Sequence, residues 1–301
     1  MDSLLFSIIT PTYNRATSIY NLILSVQSQS DENFELIIVD DGSTDDTRKV
    51  VKPFLNDQRI SYIWQDNRER GAARNTGARA ATGKYLNFFD SDDLMLSNHI
   101  EAARQFLQEK GEIDFFHTCY EIVDEKGIIL LRENGQEERR AADRLIRTNY
   151  LACNSVFAKR TFFEQNTFNE DRKLSSSEDW ELWLRMISRV QLFRCPKVTF
   201  KIVNHKNRSL ANLSADQIVS RDMSMLSYLV SDQPFVRTFK NELAIFESDR
   251  YTFFALAFCQ ERNWNKTLHY LYMATLLTPK VFLRKRFWAT AKNLVNGYLH
   301  W

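Results

Sequence analysis

The amino-acid sequence predicts an α/β protein with an open sheet, followed by a region of helices alone. Short, nearly continuous apolar runs alternate with stretches in which apolar residues recur at helical spacing. Continuous apolar runs are typical of strands that are buried on both faces, as in a parallel sheet. Helical stretches of this length between the runs favour right-handed crossovers and therefore an open sheet.

The elements of the sheet region are predicted in order along the chain. The apolar run at 4–10 is the first strand, and the helix after it carries its apolar side chains on one face. Ser43 to Asp46 have side chains that commonly cap a helix N-terminus, so a helix is expected after the second strand. The predicted order is strand 4–10, helix from 17, strand 34–39, helix 43–54, strand 60–64, helix 71–82 and strand 84–89.

The alternation becomes less regular after residue 114. A hairpin, a short strand, an amphipathic helix and two more short strands are predicted up to 203, and everything beyond 215 is predicted to be helical. We therefore expect two regions, 1–213 and 214–301, with no low-complexity linker between them. The predicted elements are the hairpin 115–131, the strand 153–158, the helix 178–190 and the strands 191–194 and 198–203.

The composition is that of a globular protein in a reducing compartment, and a cytoplasmic location is expected. Lys and Arg number 40 against 38 Asp and Glu, so the formal net charge of +2 does not indicate a nucleic-acid partner. Four cysteines without a C-x-x-C pair favour free thiols. No secretory signal and no apolar run of roughly 20 residues is found. The N-x-S/T triplets at Asn207, Asn212 and Asn265 are therefore interpreted as chance matches.

An acidic cluster, Asp90-Ser91-Asp92-Asp93, follows the fourth strand directly. Carboxylates this close repel one another unless a cation offsets their charge. Mg²⁺ and Mn²⁺ prefer such oxygen ligands and are usually shared with substrate phosphates. The simpler interpretation of an isolated cluster is an exposed turn that caps a helix starting at Leu94.

Polar segments at two other strand ends strengthen the metal interpretation. Thr12-Tyr13 and Asp40-Asp41 follow the first two strands, and in open α/β sheets ligands bind beyond the carboxyl ends of the strands. The chain has no glycine-rich phosphate loop of either common type, so a metal and Arg74 are the candidates for holding phosphate. A lone arginine on a helix is otherwise more often a solvated charge.

Four segments together resemble the family 2 inverting glycosyltransferases. They occur in that family's order and spacing over about residues 4–205. The resemblance implies a GT-A fold with a C-terminal helical extension, a nucleotide-sugar donor that is usually a UDP-sugar, and a divalent Mn²⁺ or Mg²⁺ ion. The segments are SIITPTYNR (7–15), FELIIVDDGSTDDT (34–47), GAARNTGARAATGKYLNFFDSDD (71–93) and SSEDWELWLR (176–185).

The resemblance also implies roles for individual residues. Asp179 matches the general base that takes the proton of the acceptor hydroxyl, and Glu178 is the substitute candidate. Both acids also suit a helix N-terminus without any catalytic role. On the donor side, the implied ligands are Thr12, Tyr13 and Asp41 for the nucleoside, Asp90 with Ser91 near the ribose, Arg74 at the diphosphate, and Asp92, Asp93 and His205 for the metal.

The implied function is the transfer of one sugar to a saccharide or lipid-linked acceptor in cell-surface polysaccharide or glycan synthesis. Processive members of the family carry a Q-x-x-R-W segment and membrane-spanning helices, and neither is found here. Two alternatives stay open. A nucleotidyltransferase that makes sugar nucleotides shares the sheet and the metal, and a non-catalytic nucleotide-sugar binding protein could keep the fold.

The C-terminal segment carries basic and aromatic residues but no acids. After Glu261 there are seven Lys and Arg residues. Drawn as a helix, 280–301 places Leu283, Phe287, Trp288, Leu294 and Val295 on one side, which is the pattern of a helix on an anionic membrane surface. Such a pattern leaves two alternatives open: peripheral membrane association, or packing of this face on the catalytic domain.

Overall fold

A computed structural model describes residues 5–134, 138–205 and 213–299, with the side chains of 138–140 and 297–299 excepted. The chain divides into two compact units, Met1–Leu145 with Asn149–Arg208, and Ile146–Thr148 with Ser209–Trp301. The triplets at Asn207 and Asn212, and the last two residues of the basic tail, lie outside the described residues.

The first unit is built on one mixed sheet of nine strands among the described residues. Its first four strands run parallel in the order β3-β2-β1-β4, and the later strands add antiparallel and parallel pairs to β4. The order continues as β8-β6-β9-β5, with β7 paired to β6. The strands are β1 Phe6–Thr12, β2 Phe34–Asp40, β3 Ile60–Trp64, β4 Tyr85–Phe88, β5 Leu94–Met95, β6 Phe115–Asp124, β7 Ile129–Glu133, β8 Val156–Lys159 and β9 Phe193–Asn204.

Helices flank this sheet and bury their apolar faces against it. The first helix buries the four apolar side chains that its sequence spacing predicts, Ile19, Leu22, Ile23 and Val26. The predicted α/β fold with helices around an open sheet is confirmed. The helices are α1 Ala16–Gln27, α2 Thr47–Val51, α3 Glu69–Ala80, α4 His99–Lys110, α5 Glu138–Leu145, α6 Arg160–Phe163 and α7 Glu178–Ile187, with 3₁₀ turns at Lys52–Asn56, Cys153–Ser155 and Arg172–Leu174.

One glycine sets how closely α3 approaches the sheet. A Cβ atom built on Gly77 would lie 2.4 Å from Ile9 Cγ2 and 3.2 Å from Val39 Cγ2. Only a residue without a side chain fits there, so α3 lies directly against β1 and β2. This close packing fixes the position of Arg74, one turn earlier on the same helix.

The structure differs from the sequence prediction at the acidic cluster. No helix begins at Leu94, because Leu94 and Met95 pair with β9 as a short strand and the next helix begins at His99. The cluster therefore does not cap a helix. The two strands predicted at 191–194 and 198–203 are also one long strand, Phe193–Asn204, since β9 pairs with β6 along most of its length.

Apart from turns and connecting segments, the described residues of the second unit are helical. A capping box at Ser214 and Gln217 begins its first long helix, and an apolar cluster around Phe254, Leu271 and Phe287 forms its core. Within the ranges that the structure describes, no helix is both long and apolar enough to span a bilayer. Its helices are α8 Ala215–Ser231, α9 Gln233–Thr238, α10 Leu243–Gln260, α11 Trp264–Leu277 and α12 Lys285–Leu299, with a 3₁₀ turn at Pro279–Leu283.

Candidate active site

The carboxyl ends of β1, β2 and β4 bring the predicted donor-side residues together. Thr12 and Asp40 are register partners, and the backbone amide of Asp41 donates to the carbonyl of Thr12 at 2.8 Å. The strand β4 pairs with the other edge of β1 and leads into the acidic cluster. The parallel register therefore places three polar segments, far apart in sequence, at one edge of the sheet.

Asp41 has one carboxylate oxygen fixed by the protein. Its Oδ1 accepts from Gln65 Nε2 at 2.6 Å and from the Arg68 amide at 3.0 Å, while no donor from the described residues is found for Oδ2. The turn after it needs Gly42, whose φ of +84° lies in the left-handed region. A fixed carboxylate with an available oxygen suits recognition of a base N–H group.

Asp40 is engaged differently from its neighbour. Its Oδ1 accepts from the Ser43 amide at 2.8 Å and its Oδ2 from the Tyr62 hydroxyl at 2.6 Å. Both oxygens thus hold the strand end and the following turn. Near them, Thr12 Oγ1 is buried without a hydrogen-bond partner among the described residues, and Tyr13 is 48% exposed.

Arg74 lies between Asp90, one of the predicted nucleotide-binding residues, and Glu178, the substitute candidate for the general base. Its Nη2 lies 2.7 Å from Asp90 Oδ1 and its Nη1 lies 2.8 Å from Glu178 Oε1, although the side chain is only 2% exposed. Both terminal nitrogens are therefore committed to carboxylates. Within the described residues, Arg74 Nε and Glu178 Oε2 are buried without hydrogen-bond partners. Such atoms are costly to bury and are candidates for contact with a bound ligand.

Asp93 anchors the acidic cluster to distant parts of the sheet. Its Oδ2 accepts from Asn154 Nδ2 at 2.9 Å, and its Oδ1 accepts from the Val203 amide at 3.0 Å. Asn154 also accepts from the Asp90 amide at 3.0 Å. Ser91 is buried within the same turn. The cluster is thus held at both ends by β9 and by the turn before β8.

Asp92 and His205 form the pair best suited to a divalent metal. Asp92 Oδ2 lies 3.2 Å from His205 Nε2, and both side chains are 17% exposed. One carboxylate and one imidazole fit Mn²⁺, with substrate phosphate oxygens and water completing the shell. No group of three potential ligands is found in the described part of the chain. Arg15 Nη2 lies 3.7 Å from the same Asp92 oxygen, so a cation is already close to it.

Asp179 has the electrostatic properties of a general base. It lies in the first turn of α7, where its Oδ1 accepts from the Trp180 amide at 2.7 Å and its Oδ2 from Asn149 Nδ2 at 3.1 Å. Loss of water contact, and next the charge of Glu178, raise the pKa of Asp179 to about 7, against the opposing effect of Arg74. A base of that pKa exchanges protons readily near neutral pH.

Three residues of the site are not marked by any sequence pattern. Asn149 contacts the predicted base, Asn154 links Asp90 to Asp93, and Arg15 lies beside Asp92. Asn154 lies 61 residues from Asp93. Arg15 at least falls within the first of the four recognised segments, whereas both asparagines lie in the loosely patterned region.

A family model identifies the family to which the chain belongs. The family model described as Glycosyl transferase family 2 matches residues 7–168, more than half of the chain. This chain belongs to glycosyl transferase family 2. The resemblance predicted from the four segments is thereby confirmed.

Relatives within the family include proteins with named substrates. An uncharacterized glycosyltransferase of Rickettsia bellii is 34% identical over 221 residues, covering 69% of this chain but 32% of its own length. The chain thus spans about a third of that relative. The Escherichia coli UDP-Glc:alpha-D-GlcNAc-diphosphoundecaprenol beta-1,3-glucosyltransferase WfgD is 32% identical over 188 residues, covering 62% of this chain and 71% of WfgD.

Solved structures share the fold along nearly the whole chain. The 1–349 fragment of S. aureus TarS in complex with UDP-GlcNAc matches with a TM-score of 0.70 at 20% identity, covering 98% of this chain and 89% of the fragment. The mannosyltransferase PcManGT of Pyrobaculum calidifontis, in complex with GDP-Man and Mn²⁺, matches with a TM-score of 0.60 at 16% identity, covering 98% and 86%. At these identities the likeness concerns the fold, which is the predicted GT-A fold.

Proposed function

We propose that this chain transfers a sugar, with inversion, from a nucleoside diphosphate donor to a hydroxyl of a saccharide or lipid-linked acceptor. The observation that carries the proposal is the ion chain Asp90–Arg74–Glu178, in which Arg74 and Glu178 are buried. It joins a carboxylate on the predicted nucleotide side to Glu178, whose sequence neighbour Asp179 has a raised pKa. A UDP-sugar is the proposed donor, as in the name of WfgD and in the TarS complex.

The proposed reaction is a single displacement. The acceptor hydroxyl gives its proton to an Asp179 oxygen while its own oxygen forms a bond to the anomeric carbon. The bond from that carbon to the donor diphosphate breaks on the opposite face, and the nucleoside diphosphate leaves with the electron pair. Glu178 is less suited to this role, because Arg74 holds its Oε1 at 2.8 Å. The Asn149 amide orients Asp179 towards the acceptor.

The donor side is proposed to hold the base at Asp41, the nucleoside at Thr12 and Tyr13, and the ribose near Asp90 and Ser91. Asp92 and His205 would hold a Mn²⁺ or Mg²⁺ ion, with Asp93 fixing the cluster beneath them. A bound divalent ion would neutralise the leaving diphosphate. The PcManGT complex with Mn²⁺ supports this cofactor. Arg15 is placed to add a second positive charge there, and Arg74 positions the two carboxylates that it joins.

A cytoplasmic site of action at a membrane surface is part of the proposal. The acceptor in the name of WfgD is a diphosphoundecaprenol-linked sugar, which resides in a membrane. The basic segment 280–301 suits peripheral association with an anionic leaflet. The proposed biological role is the synthesis of a cell-surface polysaccharide or glycan.

A donor screen with Mn²⁺ that measures nucleoside diphosphate release tests the proposal. Asp179→Asn should bind the active donor with an unchanged Kd yet lose about 10²–10⁴-fold in kcat, because the proton acceptor is gone. Glu164→Gln is the control, since Glu164 is 57% exposed and makes only a surface ion pair with Arg160. Full transfer by Asp179→Asn would refute the assigned base, and binding without turnover by the unaltered chain would favour a non-catalytic protein.

A further inference from the structure

Four arginines and two aspartates meet in the helical second unit. Asp222 accepts from Arg221 Nε at 2.9 Å and faces Arg250 Nη1 at 3.5 Å, and all three side chains are buried. The carboxylate of Asp249 lies 2.9 Å from Arg284 Nη2. The backbone carbonyl of Asp249 accepts a hydrogen bond from Arg286 Nη1 at 3.3 Å. The cluster thus holds more guanidinium groups than carboxylates.

Arg284 and Arg286 are the solvent-exposed arginines of this cluster: the Arg284 side chain is 29% exposed, and Arg286 is exposed. Arg284 Nε is buried without a hydrogen-bond partner among the described residues, and the Arg286 guanidinium lies 5.4 Å from the centre of the Phe253 ring. Burial, together with the like charge of Arg284, lowers the pKa of Arg286 against the opposing effect of Asp249. Two adjacent guanidinium forks favour a ligand with several anionic oxygens, such as a phosphate.

Exposed apolar side chains flank the same arginines. Leu283 is 84% exposed and Trp288 is 58% exposed, and the Phe282 ring lies 6.1 Å from that of Trp288. The indole Nε1 donates to the Phe282 carbonyl at 2.8 Å, which holds this surface in place. Large apolar groups presented to water beside phosphate-binding donors match an amphiphile, and a free phosphate ion would not use them.

The structure divides the apolar face that the sequence predicts for the C-terminal helix. Phe287 and Leu294 pack into the core of the second unit, whereas Leu283, Trp288 and Val295 stay exposed. The helix also begins only at Lys285, after the 3₁₀ turn. The buried part of this face therefore packs within the second unit, and membrane association is a proposal for the exposed part.

We infer that Arg284 and Arg286 bind the phosphate headgroup of an anionic bilayer lipid while Phe282, Leu283 and Trp288 enter its acyl region. The absence of acidic residues after Glu261 complements the charge of such a surface. The inference rests on the proposed function, which places the acceptor in a membrane, and it identifies the residues of the membrane-facing site.

Vesicle binding by the full-length chain tests the site. Co-sedimentation with phosphatidylglycerol–phosphatidylcholine vesicles is compared for the unaltered chain, for Arg284→Gln/Arg286→Gln, and for the matched control Lys285→Gln/Lys292→Gln, which removes equal charge from exposed positions of α12. The arginine pair should weaken binding by more than the roughly 25-fold that two surface cations contribute at about fivefold each, because the bonds to the headgroup are lost as well. The control pair should lose clearly less. An equal loss in both pairs would overturn the site in favour of a diffuse charge effect.

A second variant keeps the test independent of ion-pair loss. Leu283→Ser changes a side chain that is 84% exposed, so circular dichroism and Tm should match those of the unaltered chain while vesicle binding falls. Unchanged vesicle binding by this variant would show that Leu283 does not enter a bilayer and would overturn the lipid assignment. These assays contain no nucleotide. Failure of donor turnover by the unaltered chain would therefore refute the proposed function without changing the vesicle result.

Discussion

Arg74→Met is expected to destabilise the first unit by about 3–5 kcal/mol at pH 7, because it removes one partner of a buried ion chain. Arg74 lies between Asp90 and Glu178 at 2.7 and 2.8 Å and is 2% exposed. Methionine fills a similar apolar volume, so the cost arises from the two carboxylates left without their shared cation. For a unit of this size, the loss corresponds to a decrease in Tm of roughly 10 °C.

The sign of the pH dependence separates this cause from a packing defect. Arg74 opposes the rise in the pKa of Asp179, so without Arg74 this carboxyl group takes up a proton still more readily in the folded chain than in the unfolded chain. The difference in the free energy of unfolding between the unaltered chain and Arg74→Met should therefore become smaller as the pH falls from 7 towards 4. The double variant Arg74→Met/Glu178→Gln also removes the more buried of the two carboxylate charges. It should therefore recover a large part of the stability that Arg74→Met loses at pH 7.

Urea unfolding followed by tryptophan fluorescence measures these changes, since Trp180 and Trp183 are buried in α7 next to the ion chain. Arg79→Met is the matched control on the same helix, because Arg79 is 62% exposed and should change stability by less than about 0.5 kcal/mol. A pH-independent loss in Arg74→Met, or a double variant no more stable than the single one, would refute the reasoning.

Three further predictions concern the base, the metal and the packing of α3. In Glu178→Gln the acid limb of the pH–rate profile should move to lower pH, because loss of the neighbouring charge lowers the pKa of Asp179 from about 7. An unmoved acid limb would contradict the electrostatic coupling between Glu178 and Asp179. Asp92→Asn should raise the Mn²⁺ concentration for half-maximal turnover by at least the roughly 10–100-fold seen for outer-shell partners, whereas an unchanged Mn²⁺ titration would place the metal elsewhere. Gly77→Ala should cost about 1–3 kcal/mol in urea unfolding, because its Cβ would meet Ile9 at 2.4 Å, and a neutral result would show that α3 can shift.

Much of the fold follows from local pattern alone. The helix α1 buries the four residues that its spacing predicts, and β3 spans 60–64 as the apolar run indicates. The predictions fail where pairing with a distant strand decides the structure. Leu94 and Met95 suit a helix start, yet their pairing with β9, more than a hundred residues later, makes them a strand. Local propensity is weak against such tertiary contacts.

The sequence by itself determined the family of this protein and the place of its acidic segments, because the order of strands and helices assigns each segment to a strand end, and parallel strands share one edge. Only the tertiary structure decided how neighbouring acids differ. Asp40 and Asp93 have both oxygens bound by protein donors, and Arg74 holds Glu178. Those donors come from segments up to 110 residues away, as Val203 does for Asp93. Adjacent carboxylates are chemically alike, so only the distant donors that each one meets separate a structural acid from an available one.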